Sequence, residues 1–492
     1  MFLLGIDLGT SSIKASIVES ATGQEVASAQ YPEIEAEIIA HQKGWAEQDP
    51  QTWWEYSQQA IKKAIASAKI DGKKITAIGI SYQMHGLVMV DKNQEVLRHS
   101  IIWCDSRAIK YGESAFEAIG KEKALGSLLN SPGNFTAAKL AWVKENEPDV
   151  FEKCDKIMLP GDFLAMKLTG EITTTASGLS EGIFWDFPKN QVSEDVLKAF
   201  GFTKDIIPTI LPVFASHGNI KADIAESLGL STEAVVAYKA GDQPNNAFSL
   251  NVVNPGEIAA TAGTSGVVYA VSDKISYDPL SRINSFAHVN HGDNELSRIG
   301  ILLCINGTGI LNRWIKEQVA GGKSYQEMNE DARKISVGSD GLIVMPFGNG
   351  AERMLQNKLM GAQMLGLDFN THKQAHIFRA AQEGIVFSFK YGFDIMLSLG
   401  VVPNVIRAGQ ANMFLSDVFT QTLVNTTQVP VEMYDTHGAK GAALGAGVGA
   451  KVYADIKEAM SGLKILKTIE PVSTEKEKYE NAYKLWEQAL IL

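Results

Sequence analysis

The stretch FLLGIDLGTSSIKASIVE, residues 2–19, reads as an apolar strand, a Gly-Thr-Ser turn and a second strand in which Ile13, Ala15 and Ile17 alternate with polar residues. Residues 257–272, EIAATAGTSGVVYAVS, follow the same plan. Thr10 and Thr264 hold the same place in the two turns, about half the chain apart, which predicts an internal duplication of one α/β domain. Glycine lets the main chain approach an anion closely, and exposed N–H groups with hydroxyls can cradle phosphate oxygens. Two such tips facing each other would grip one polyphosphate, while a plain hairpin turn is the alternative for each tip taken singly. Asp7, just before the first tip, offers the hard oxygen ligand that the Mg²⁺ of a nucleotide prefers, through water.

The bulk of the chain agrees with a metabolite-binding protein. Its 492 residues exceed one ordinary core and predict two large domains. A net charge of -11 without a Lys/Arg-rich run argues against a nucleic-acid partner. The three cysteines, Cys104, Cys154 and Cys304, are widely spaced and suit a reducing compartment, with the cytoplasm as the expectation. The amino terminus lacks a basic n-region, and no apolar run approaches the roughly 18 to 20 residues needed to span a bilayer, so neither a signal peptide nor a membrane partner is expected.

Two other phosphate-motif candidates fail. EQVAGGKS, residues 317–324, has Glu317 where a P-loop needs Gly and follows a helical pattern, so it reads as a helix end. GAGVG, residues 445–449, lacks the strand-to-helix entry of a dinucleotide fold and reads as close helix packing. More informative is YKAGDQPNNAF, residues 238–248, where an apolar strand ends by presenting one carboxylate, Asp242, with no acidic neighbour in sequence. Gly, Asp, Pro and Asn are turn residues, so a structural turn is one reading and a lone proton acceptor is the other.

Eight stretches then carry a resemblance: GIDLGTSSIKASIV, GWAEQDPQTWW, ISYQMHGLV, IIWCDSRA, residues 135–171, AGDQPNNA, AGTSGVVYAVS and GAALGAG, in order from residue 5 to about 450. Together they closely resemble the carbohydrate kinases of the FGGY family, and within it those acting on ketoses. The resemblance implies an α/β protein of two duplicated actin-like, ribonuclease H-like ATPase domains with ATP, Mg²⁺ and the sugar in a central cleft. It places residues 1–250 in a domain for the sugar and the catalytic base, and 251–492 in a nucleotide domain ending in closing helices. The boundary falls at NVVNPGE, residues 251–257, where Asn, Pro and Gly break two apolar strands. In the helix that opens at residue 50, Asp49 fits the N-cap and Pro50 the first helical position.

The same resemblance assigns roles. Asp242 takes the base position, where an isolated carboxylate would keep an ordinary pKa, with Asn245 and Asn246 to orient it. Asp7 takes the Mg²⁺ position. Met84 and His85, with Gln83, contact the sugar, His85 alone reading equally as a core histidine. Asp105 either binds a sugar hydroxyl or pairs with Arg107, and Gln243 borders the sugar. Thr10, Ser11, Gly263, Thr264 and Ser265 carry the phosphates, and the GQAN turn, with Gly409, Gln410 and Asn412, carries adenosine. The expected reaction is phosphorylation of D-xylulose to D-xylulose 5-phosphate. L-ribulose, D-gluconate or glycerol are alternative acceptors, and a nucleotide-switched actin-like protein or an inactive sensor are alternatives of another class. A homodimer is left open.

The chain departs from the family pattern at Gln243, at the GQAN turn where three glycines are usual, at Met354 and Leu355, and at Gln382, where an apolar residue is usual. His372 and His376, four apart on an expected helix, make half a zinc site at best and read as a solvated face. His288 and His291 read as loop residues. Trp45, Trp53 and Trp54 read as packing.

Overall fold

The computed structural model describes residues 1–292 and 296–491. Five strands form the first sheet, in the order Val235–Gly241, Ile75–Tyr82, Phe2–Leu8, Ile13–Glu19 and Gln24–Tyr31. The first three run parallel and the last two form an antiparallel meander with them. The second sheet has seven strands, and its central five repeat that order and direction: Val431–Tyr434, Val405–Gly409, Glu257–Ala262, Gly266–Ser272 and Ile299–Ile305. The two Gly-Thr-Ser turns join equivalent strand pairs, so the duplication expected from Thr10 and Thr264 is present in the topology.

Strand alternation explains how the first sheet is covered. Leu4, Ile6 and Leu8 pack with Trp53, Ile61 and Ala64 of the helix Pro50–Ala68. Asp49 caps that helix by accepting the Gln51 N–H at 2.9 Å, and Pro50 occupies its first turn. Leu3 faces the other way, onto Ala442 and Leu444 of the helix Gly438–Gly449. Small residues bring that helix against the strands. A Cβ at Gly5 or Gly79 would fall 1.8 or 1.9 Å from the main-chain oxygens of Ala439 and Ala442.

Residues 445–449 thus serve helix packing, as expected, but against the first sheet although they lie late in sequence. Four local readings are corrected. The segment before residue 251 is a helix, Asp242–Ser249, because its buried positions Pro244, Asn245, Ala247 and Phe248 follow helical spacing. The tail contains a strand, Ile465–Ile469, on the edge of the second sheet before the last helix, Lys476–Ile491. Its alternation is masked in sequence because it is mostly exposed. His376 is buried, not solvated, with Nε2 3.1 Å from Asp340 Oδ2. His288 is a core residue, held between the Tyr269 hydroxyl and the Val252 carbonyl. Residues 317–324 end the helix Gly309–Gln318 and turn through Gly321 and Gly322 at positive φ.

Candidate active site

The parallel strands Phe2–Leu8, Ile75–Tyr82 and Val235–Gly241 end at one edge, where open α/β sheets collect ligands. Asp7, Gln83 to His85 and Asp242 all emerge there. Asp242 is the first residue of its helix, so the turn reading gives way to a helix N-terminus. Burial pushes its carboxyl up to about 7, and the charge of Asp7 adds to the effect, against the main-chain and side-chain amides of Gln243. Asp242 is therefore not isolated: Asp7 faces it from one side, and Glu181 feels its charge from another. The sequence hides this because all three lie far apart along the chain.

Gln243 borders Asp242, whereas the two asparagines turn elsewhere. Asn245 donates to the Gly438 carbonyl at 2.9 Å. Asn246 Oδ1 and Asp7 Oδ2 both flank Gly438, at 3.2 and 2.4 Å from where a Cβ would stand. Glycine there leaves Asp7 its room. Burial raises the Asp7 carboxyl as well, opposed by Ser81, its register partner across the strands, and by His437 and Lys14.

His85 has φ +62, a left-handed turn that histidine tolerates. The buried Lys139 holds this turn by donating to the His85 carbonyl at 2.7 Å. Burial takes the His85 imidazole down to about 3, helped by the charge of Lys139. The ring is therefore neutral near pH 7. Its Nδ1 stands 3.0 Å from the Glu181 carbonyl oxygen, which must receive a proton, so Nε2 carries the free lone pair. Phe135 and Phe286 pack against the ring. Met84 lies against Gly241, where a Cβ would meet its Cγ at 2.6 Å and Glu181 Oε2 at 3.2 Å.

Gln83 accepts from the Thr10 hydroxyl at 3.1 Å and donates to Gln48 at 3.0 Å, so it ties the first Gly-Thr-Ser turn to the end of the neighbouring strand. The Trp103 indole donates to the same Thr10 hydroxyl at 2.9 Å. Ser11 is exposed at the tip. Asp105 requires a correction. It is buried in an ion pair with Arg107 at 2.7 Å, its Oδ2 also accepting the Ala46 N–H and its Oδ1 the Arg107 N–H, so neither oxygen is free for a sugar. Arg107 in turn bonds Glu47 and stacks over Trp45, whose ring packs on Trp142.

The second lobe supplies a cavity of about 370 Å³ whose wall includes Gly263, Thr264 and Asn412, together with Tyr325, Asn329 and Ser416. Gly263 and Thr264 accept the Gly309 and Ile310 N–H groups through their carbonyls, which docks the second turn on a helix start. A Cβ at Gly263 would lie 3.5 Å from the Asn412 amide, so the second Gly-Thr-Ser turn and the GQAN turn meet. Ser265 sits beside this cavity, and Gly409 and the exposed Gln410 lie behind Asn412, with the Gln410 N–H bonded to the Tyr434 carbonyl. Cys304, ending a strand of this lobe, has its thiol raised by desolvation and, more weakly, by Asp242, with Arg353 opposing. The second lobe thus faces Asp242.

Sequence reasoning passed over Glu181, Lys139, Arg353 and Asn329. A single Glu in GLSEG, or a Lys inside AAKLAW, carries no local signal of burial. Glu181 is buried, and burial, with the charges of Asp242 and Asp162, pushes its pKa well up against the opposing Tyr82 hydroxyl.

Among the described residues no group of three His, Cys, Asp or Glu side chains is spaced to hold a metal by itself. The paired Asp7 and Asp242, with the Ser81 hydroxyl on the neighbouring strand, instead suit a hard cation that brings most of its ligands as phosphate and water.

A cleft between duplicated lobes, with a carboxylate on one side and a Gly-Thr-Ser turn on the other, suits a phosphotransferase acting on a small molecule. The FGGY family of carbohydrate kinases matches over both halves, its N-terminal domain at residues 2–249 and its C-terminal domain at residues 258–452. The chain belongs to this family and is an ATP-dependent sugar kinase. It is 31% identical over 396 residues to a xylulose kinase of Lactococcus lactis, covering 80% of this chain and 77% of the relative. To a xylulose kinase of Bacillus subtilis it is 27% identical, covering 93% and 90%. A crystal structure described as a xyloylose kinase from Brucella ovis superposes with a TM-score of 0.90 at 25% identity, covering 99% and 98%. A gluconate kinase from Lactobacillus acidophilus shares the fold with a TM-score of 0.89 at 22% identity, covering 99% and 97%.

Proposed function

We propose that the protein phosphorylates D-xylulose at its terminal hydroxyl, using Mg-ATP and releasing D-xylulose 5-phosphate and ADP. The observation that carries the reading is Asp242, a half-buried carboxyl raised to about 7 at the cleft edge, beside Asp7 and next to the Met84–His85 turn. The xylulose kinase relatives support the choice of sugar. Residues 1–250 would carry sugar and base and residues 251–492 the nucleotide, with the helix Gly438–Gly449 returning to the first lobe. The three cysteines are free, which agrees with a cytoplasmic setting.

Asp242 takes the proton of the terminal hydroxyl as its oxygen bonds to the γ-phosphorus and the bond to the ADP oxygen breaks; the proton then leaves to solvent. A base near pKa 7 balances being ionised against holding the proton well. His85 accepts a sugar hydroxyl at Nε2, and Met84 forms an apolar wall. The turns at Thr10–Ser11 and Gly263–Ser265 bind phosphate oxygens, and the 409–412 turn lies along the adenosine. Asp7 would hold Mg²⁺ through water, and the ion would neutralise phosphate charge.

Sugar-dependent ADP release over D-xylulose, L-ribulose, D-ribulose, D-gluconate and glycerol, with Asp242→Asn beside the unaltered protein, tests the proposal. D-xylulose should give the highest kcat/KM, and the variant should lose about 10²- to 10⁴-fold. A different preferred acceptor would overturn the sugar assignment, and a fully active variant would overturn the base.

A further inference from the structure

Gln382 lies in the helix Gln374–Ser398 with no exposed surface, among Ala380, Ala381 and Ile385. A buried amide is costly unless both its ends are bonded. Here both are. Its Oε1 accepts from the Ser416 hydroxyl at 2.7 Å, and its Nε2 donates to Asn329 Oδ1 at 2.8 Å.

The direction of this chain is fixed from its inner end. Ser416 caps the helix Asp417–Thr427, its oxygen accepting the Phe419 N–H at 3.3 Å. Were Gln382 turned round, its NH₂ would take the second Ser416 lone pair and the buried hydroxyl proton would have no acceptor among the described residues; with the Gln382 carbonyl facing Ser416 that proton is used, and the NH₂ faces Asn329. Asn329 then has its carbonyl turned inward. Its own NH₂ group has no protein partner among the described residues, and Asn329 is half-buried in the wall of the 370 Å³ cavity. An apolar residue at 382 would leave the Asn329 amide free to flip. A neutral relay therefore presents one oriented donor to the cavity.

We propose that Ser416, Gln382 and Asn329 form a base-reading relay in which the Asn329 side-chain NH₂ donates to N1 of adenine. The inference rests on the reading that this cavity takes the adenosine of ATP. Asn329 is backed by the core, whereas Gly263 and Thr264 line the cavity where phosphates would lie. The N1 edge is the part of adenosine farthest from its phosphates. Guanine carries a hydrogen on N1, so an oriented donor there favours ATP over GTP, and a free amide would not.

The test compares kcat/KM for ATP, GTP, 1-deaza-ATP and 7-deaza-ATP at saturating sugar in the unaltered enzyme, Gln382→Met and Asn329→Leu. The unaltered enzyme should prefer ATP to GTP and lose about tenfold with 1-deaza-ATP but not with 7-deaza-ATP. Both variants should bring the ATP to 1-deaza-ATP ratio near one and reduce the ATP to GTP ratio. A structural role alone would lower all nucleotides together and leave the ratios in place, which overturns the relay. Loss with 7-deaza-ATP in place of 1-deaza-ATP overturns the N1 contact. Asn329→Leu, on a half-exposed position, keeps the test decisive should Gln382→Met fail to fold. Asn312→Trp, which fills the cavity from the helix Gly309–Gln318, must raise KM for ATP several-fold; if it does not, the adenosine lies elsewhere and the underlying reading falls.

Discussion

Asp7 raises the proton affinity of Asp242 across the intervening strand Ile75–Tyr82, adding to the larger effect of burial. The two carboxyls end parallel strands on either side of that strand, so neither can move away without disturbing the sheet. Because kcat/KM reports ionisations of the free enzyme, its acid limb for sugar should have a midpoint near 7. In Asp7→Asn the overall rate should fall and the limb should move to lower pH, since a like charge has been removed. A limb that stays in place in that variant would show that the two groups are not coupled.

The same carboxyl should cost stability. The folded pKa of Asp242, about 7, lies above its ordinary 3.8, so the folded chain holds the proton more tightly than the unfolded one. That advantage is complete below the ordinary value and is lost as pH rises through about 7. Asp242→Asn escapes the loss. In chemical denaturation it should match the unaltered protein near pH 4 and exceed it at pH 8 by on the order of a few kcal/mol, each pKa unit being worth about 1.4 kcal/mol. Equal stability at both pH values would place the carboxyl in water.

His85 stays neutral throughout the working range, its imidazole held down at about 3. It should therefore contribute no limb to the rate profile between pH 5 and 9. His85→Leu should raise KM for the sugar by about tenfold, the order of one lost hydrogen bond, with KM for ATP little changed. A rise in KM for ATP of the same size would assign the ring to a general structural role.

Gly79 tests the contact between the first sheet and the helix Gly438–Gly449. A Cβ there would stand 1.9 Å from the Ala442 main-chain oxygen, an atom that cannot rotate aside. Gly79→Ala should destabilise by at least about 1–3 kcal/mol, the usual cost of overpacking, seen as a lowered Tm. Gly409→Ala, with nothing within 4 Å of its Cβ, is the matched control.

The fold was legible where one local pattern carried it. The two hairpins show their strands and turns within a dozen residues each, and their spacing reveals the duplication. Met84 and His85 were legible as a pair because both sit in one turn. Glu181 was not, because its neighbours Met84, His85 and Gly241 come from two other segments. Asp105 was left between two roles for a related reason: Ala46 and Glu47, which complete its ion-pair cluster, arrive from about sixty residues earlier. Gln382 stood out as polar where the family is usually apolar, yet its use depends on Asn329 and Ser416, which only tertiary packing brings to it.

The helix Gly438–Gly449 covers a sheet whose first strand is Phe2–Leu8. A ribosome makes these two parts roughly four hundred residues apart. The face bearing Leu3, Ala77 and Tyr238 therefore emerges long before Ala442, Ala443 and Leu444, and within residues 1–250 Phe214 and Phe248 cover only the Tyr238 end of it. The first lobe can complete itself only after nearly all of the second has been synthesised, so the nascent chain must carry an open apolar sheet through most of translation, a period in which chaperone binding would be needed and early release would lead to aggregation.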